Sequence, residues 1–148
     1  GGGKGPRGPS TRGPAVTRER GYPRASLRVR VSHADVHYGG SLIAGSHILR
    51  LFGDLATELT IRYDGDEGLL RAYESVEFLA PVLGGDYIEA SGKIVAVGST
   101  SRRMVFEAQK VITCEGPFPS SARILDPPVL VARAVATSVV PKERQRPA

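Results

Sequence analysis

SHADVHYGGSLIAGSHILRLFGDLATELTIRYDGDE, residues Ser32–Glu67, is the stretch that decides how the rest of the chain folds. It reads as a loop, a pair of glycines at Gly39 and Gly40, one amphipathic helix and a turn. Ser41 follows the glycines and suits the N-cap position, because its hydroxyl accepts from the free amides of a first helical turn. The helix is therefore expected to begin near Ser41. Gly45, Leu49, Phe52, Ala56 and Leu59 recur at spacings of three and four, so one face is apolar or small, and Ile48 and Leu55 widen it. His47, Arg50, Asp54 and Glu58 fall at i, i+3, i+7 and i+11 in a single polar stripe. The plain reading of that stripe is a solvated face on which Arg50 pairs with Asp54. Asp54 and Glu58, however, are like charges one turn apart, a mildly unfavourable arrangement unless a cation sits between them. Asp64-Gly65-Asp66 signals the turn that ends the helical region.

Working outward, Leu27, Val29 and Val31 alternate with Arg28, Arg30 and Ser32, the pattern of a half-buried strand. After the helix come four further strand candidates, Leu69–Leu79, Asp86–Val97, Arg102–Ile112 and Val129–Val139. Pro81 with Gly84-Gly85 separates the first two, Gly98-Ser99-Thr100 makes a short hairpin, and the Pro-rich segment Glu115–Pro128 precedes the last. The order β-α-β-β-β-β predicts an α+β architecture: one curved antiparallel sheet wrapped around a central helix. An open sheet of this kind has exposed edges, which are commonly paired with another subunit, so a homodimer or higher homo-oligomer is expected.

The 148 residues suffice for one domain with a substantial core. A single cysteine, Cys114, excludes a disulfide framework and a cysteine-based zinc site, and fits a reducing cytoplasm. No apolar run approaches membrane-spanning length and there is no secretory h-region, so neither insertion nor secretion is expected. Residues 1–24 hold six basic residues and one acid, while the remainder holds 14 basic and 14 acidic residues; the formal charge of +5 thus belongs to the tail. Residues 1–25 read as a disordered basic Gly/Pro-rich tail, residues 26–140 as the domain and residues 141–148 as a loose end. One aromatic, Tyr22, and no recognition motif argue against nucleic-acid binding. His33 and His37 with Asp35 have a metal-like spacing, but with neither a helix beneath them nor further ligands no metal is expected.

The architecture resembles the hot-dog fold, and His33–Gly40 followed by the hairpin Val97–Arg102 (VGSTSR) is similar to its acyl-CoA-handling members. A narrower resemblance rests on DVHYGGSLIAG (35–45), GDLATEL (53–59), DGDEGL (64–69), VEFLAPVLGGDYIE (76–89), VGSTSR (97–102), FEAQKV (106–111) and DPPVLVARA (126–134). In that order they resemble the β-aminoacyl-CoA ammonia lyases, over about residues 28–140. A histidine at position 47 is not part of the expected pattern.

The resemblance implies reversible elimination of ammonia from a short 3-aminoacyl-CoA, such as 3-aminobutyryl-CoA or β-alanyl-CoA, to the 2-enoyl-CoA. No cofactor is implied, because coenzyme A is part of the substrate. Negative charge develops on the thioester oxygen, and the backbone amides of Gly39, Gly40 and Ser41 are expected to receive it. Carboxylates must hold the ammonium and take the α-proton. Asp35 and Glu58 are the expected pair, supported by Asp54, with Asp35 of one subunit facing Glu58 of another. His37 and Tyr38 stand beside the glycines as further candidates for polarising the thioester or moving a proton. Arg102, Arg103 and Lys110 are the candidates for the CoA phosphates, with Arg50 and Arg133 behind them. Glu77 has no assigned role. The alternatives are an acyl-CoA thioesterase of the same fold, which needs fewer carboxylates than an ammonium substrate does, a non-catalytic acyl-CoA-binding module, and a hydratase sharing the α-proton chemistry.

Overall fold

A computed structural model describes residues 21–147; most of the expected basic tail therefore lies outside the described residues. The elements are β1 (Arg24–Arg30), β2 (Val36–Tyr38), β3 (Leu42–Ile43), α1 (Gly45–Asp64), β4 (Leu69–Phe78), β5 (Tyr87–Val97), β6 (Ser101–Thr113) and β7 (Arg123–Val139). Five strands form one antiparallel sheet in the order β1-β5-β6-β7-β4, and β2 pairs with β3 in a separate ribbon. The sheet starts at Arg24, two residues before the expected domain boundary, and Tyr22 packs edge-on against Tyr63 of the helix at 5.9 Å.

The helix starts four residues later than its sequence suggests. Ser41 is not its N-cap: the cap position is Ala44, which contributes no side-chain hydrogen bond. The reason is tertiary. The Ile43 amide donates to Val82 O at 2.9 Å and the Gly84 amide donates to Ser41 O at 3.0 Å, so this segment is extended against the turn before β5. The buried, β-branched Ile43 suits that strand. At the other end Gly65 takes φ 74° and its amide donates to Ile61 O, a left-handed cap for which glycine carries no Cβ penalty.

The buried stripe of α1 is Ile48, Leu51, Phe52, Leu55, Ala56 and Leu59, with Leu49 only partly covered. It meets the inward positions of the sheet: Ile88, Ala90 and Ile94 on β5, Met104, Phe106 and Ala108 on β6, and Ala132, Ala134 and Ala136 on β7. Their period of two is the pleat of a sheet with one face on the core. Phe52 and Phe106 stack at 5.2 Å, and Phe106 lies so close to Gly92 that a Cβ there would fall 2.6 Å from the ring. Each such large side chain taken from water contributes about 1.5–3 kcal/mol.

Two ends of the chain differ from expectation. β7 begins at Arg123 rather than Val129, because Arg123 and Ile124 pair with Thr113 and Ile112. A register shift between the Lys110 and Ile112 pairings bridges Leu125–Pro128, where the prolines have no amide to donate. The C-terminal residues are not loose as far as Arg146. Gln145 Nε2 donates to Ser99 O and Val140 O, and Arg146 donates to Arg62 O near the C-terminal end of α1. Among the described residues no helix is long and apolar enough to cross a membrane.

Candidate active site

The N-terminal side of α1 collects most of the expected chemistry. Ser32 Oγ accepts from the Ala34 amide and starts a 3-10 turn over His33–Asp35. Asp35 is thereby held at the surface, with its Oδ2 3.5 Å from His47 Nε2. His47 sits in the first turn of the real helix, a position invisible while the helix is read as starting at Ser41. Sequence reasoning placed it on the polar stripe and gave it no role. The rings of His37 and Tyr38 pack edge-to-face at 4.5 Å, and both residues are exposed.

Gly39, Gly40 and Ser41 form a 3-10 turn of their own, with Gly40 at φ 72° and Ser41 at φ 66°. They do not open α1, so the dipole of the long helix is not theirs to use; that part of the expectation is corrected. A Cβ on Gly39 or Gly40 would meet nothing within 4 Å in the protomer, so packing does not require glycine at either position. Gly45, at the true start of α1, has a different duty. A Cβ there would fall 2.6 Å from the Phe78 ring of β4, so glycine lets the edge strand close on the helix.

Farther along the stripe, Glu58 accepts from Arg62 at 2.7 Å, and Asp54 is exposed with no ion pair among the described residues. Arg50 therefore does not pair with Asp54. Glu58 and Arg62 line a cavity of about 860 Å³ together with Glu77, Lys93, Glu107 and Arg133. Its size suits a substantial organic ligand. Asp35 is not among its lining residues. Glu58 lies eleven residues beyond His47, which is about 16 Å along a helix axis. One protomer thus keeps Asp35 and Glu58 apart.

The expected phosphate-binding cations divide. Arg102 is 2% exposed, grips both Asp64 oxygens at 2.8 Å, and donates to Gly98 O and Ser101 O. All three guanidinium nitrogens donate inside the protein, so it is corrected from a ligand contact to an internal anchor. Lys110 is likewise internal: its Nζ lies 3.2 Å from Asp86, a fully buried carboxylate that also accepts from Thr113 and from the amides of Leu83 and Cys114. A buried carboxylate needs such partners, and a β-strand lysine facing inward supplies one. Arg103 stays exposed beside Glu74, and Glu77 is exposed with Arg133 as its partner. Among the described residues no three His, Cys, Asp or Glu side chains are grouped to hold a metal ion.

No protein-family model matches the chain. A 3-aminobutyryl-CoA ammonia lyase from Acetoanaerobium sticklandii is 53% identical over 124 residues, 83% of this chain and 98% of the relative. The solved β-alanyl-CoA:ammonia lyase from Clostridium propionicum superposes with a TM-score of 0.81 at 35% identity, covering 88% of this chain and 90% of that one. A hexameric hotdog fold thioesterase of Campylobacter jejuni matches with a TM-score of 0.63 at 21% identity, covering 82% of this chain and 86% of that one, a likeness of fold alone. With a central helix in a five-stranded curved sheet, and with identity above half along nearly the whole length of its relative, the chain belongs to the β-aminoacyl-CoA ammonia lyases of the hot-dog fold.

Proposed function

We propose that this protein catalyses the reversible elimination of ammonia from a short 3-aminoacyl-CoA, 3-aminobutyryl-CoA or β-alanyl-CoA, to give the 2-enoyl-CoA. The observation that carries this reading is the 53% identity to a 3-aminobutyryl-CoA ammonia lyase over almost all of that protein. In the step, a carboxylate takes the proton from C2 and the electron pair of that bond forms the C2–C3 double bond. The C3–N bond breaks and the ammonium nitrogen leaves as neutral ammonia, keeping the bonding pair. Charge that builds on the thioester oxygen meets backbone amides of the Gly39–Ser41 turn, a role supported by the empty space at the Cβ positions of Gly39 and Gly40.

Asp35 and Glu58 are the carboxylates we assign to proton transfer and ammonium binding, with Asp54 in support. His37 and Tyr38 border the same turn, and Arg103, which stays exposed where Arg102 and Lys110 are buried, is assigned to a CoA phosphate. Because Asp35 and Glu58 stand apart in one protomer, the complete site takes them from two copies. The edge strand β4 supports such an assembly: it presents Leu69 and Phe78 to solvent, with Leu79 just beyond it, and among the described residues no strand pairs with its outer rim.

The test mixes the protein with crotonyl-CoA or acrylyl-CoA in ammonium buffer, follows the enoyl thioester absorbance, weighs the product and traps free thiol. A product heavier by one ammonia, without thiol release, is the expected result. Thiol release without ammonia addition replaces the lyase by a thioesterase. Glu58→Gln at full lyase turnover removes Glu58 from the assignment.

A further inference from the structure

We propose that His47 is a positioning residue for Asp35, holding one carboxylate oxygen so that the other is presented to the substrate. The inference rests on Asp35 acting in the reaction proposed above. It starts from a mismatch in rigidity. Asp35 belongs to a three-residue 3-10 turn with no buried residue of its own, anchored locally by the Ser32 hydroxyl. A carboxylate on so short a turn has rotamer freedom that a proton transfer must freeze. His47 is its opposite. It stands in the first turn of the long helix, next to Ile48 at 2% exposure and one turn before Leu51 at 7%, both in the core. Its own side chain is 20% exposed, against 39% for Asp35.

The contact therefore joins a carboxylate on a short turn to a ring carried by a helix that is anchored in the core through Ile48 and Leu51, as a precise site requires. At 3.5 Å between Nε2 and Oδ2 the pair is longer than a good hydrogen bond, and contacts of this sort tighten when substrate fills a site. The arrangement needs the imidazole proton on Nε2, directed at Oδ2. His33 in the same turn, His37 and Tyr38 in β2 and Arg50 one turn along α1 are charged or titratable groups on the neighbouring elements. Among the described residues none of the four hydrogen-bonds or ion-pairs with Asp35, so the orienting contact is that of His47.

The test measures lyase kinetics and melting temperature for the full chain and for His47→Leu, His47→Gln, Asp35→Asn and the Asp35→Asn/His47→Leu double variant. The leucine variant is expected to lose about 10- to 100-fold in kcat. Its KM for the 3-aminoacyl-CoA and its melting temperature are expected to stay near those of the parent. Glutamine, whose amide nitrogen reaches a similar point, recovers most of the rate. In the Asp35→Asn background, removing His47 costs nothing further, because the group it orients is gone. A leucine variant with parental kcat, an undiminished second loss in the double variant, or a melting-temperature drop without glutamine rescue each overturns the proposal. Asp35→Asn at full activity overturns instead the role of Asp35, which separates the two failures.

Discussion

The two ends of α1 carry the same kind of pair in opposite states. At the C-terminal end Asp64 and Arg102 meet through two parallel bonds of 2.8 Å, with side chains 3% and 2% exposed. Near the N-terminal end Asp35 and His47 stand 3.5 Å apart, 39% and 20% exposed. The first pair is saturated: two carbonyls take the remaining guanidinium edge, and the Tyr63 ring lies 5.3 Å from its centre. The second pair is only partly covered and makes one long contact. One helix is thus locked where it ends and accessible where it begins. A charged pair anchors a fold only where burial and complete hydrogen bonding coincide, and a pair left long and wet is available for chemistry.

The sharpest way to break this contrast is to make the same substitution at both ends. Asp35→Asn is expected to lower lyase turnover by about 10²–10⁴ with the melting temperature unchanged, as read by steady-state kinetics and calorimetry. Asp64→Asn is expected to do the reverse. It leaves the Arg102 charge buried without its counter-ion and costs about 3–5 kcal/mol of stability in urea unfolding. Activity then falls only as the folded fraction falls.

Smaller effects grade the same comparison. Gly45→Ala pushes a methyl into the Phe78 ring; the ring is half exposed and swings aside, so a loss of about 1–2 kcal/mol is expected in thermal unfolding. At the other end Tyr22 reports on the locked cluster. Burial, then the neighbouring Tyr63, pushes its phenol above the usual tyrosine range, against a lowering by Arg102. The folded value lies above the unfolded one. This contribution to stability is therefore complete below a pH of about 10 and disappears as pH rises through the raised value. Tyr22→Phe removes that part of the alkaline decline, which a pH series of melting curves detects. Arg146→Ala, which frees one carbonyl near the end of α1, is expected to cost only about 0.3–1 kcal/mol.

Much of the fold was readable before any coordinates, and particular residues show why. The alternation through Leu27, Val29 and Val31, the hairpin at Gly98 and the helix stop at Gly65 are local signals, and all three appear where expected. The helix start was misread because Ser41 is a good cap in isolation, while the hydrogen bonds of Ile43 and Gly84 that claim this segment come from distant chain. The candidate site suffered from the same limit. Arg102 and Lys110 sit on a strand whose alternation marks them as inward, yet their charge suggested a surface role. Their acidic partners lie 38 and 24 residues away.

What the amino-acid sequence determined by itself was the central helix, the five strands of the main sheet, their order and the family, since periodicity, turn residues and motif segments are properties of neighbouring positions; the β2–β3 ribbon lay in what read as loop and helix start. What only the tertiary structure decided was which charges meet. It gave Asp64 to Arg102, Asp86 to Lys110 and His47 to Asp35, and it kept Asp35 from Glu58 within a protomer. The physical reason is that a charge chooses its partner by burial and distance, and both are set by the packing of the sheet on the helix rather than by position along the chain.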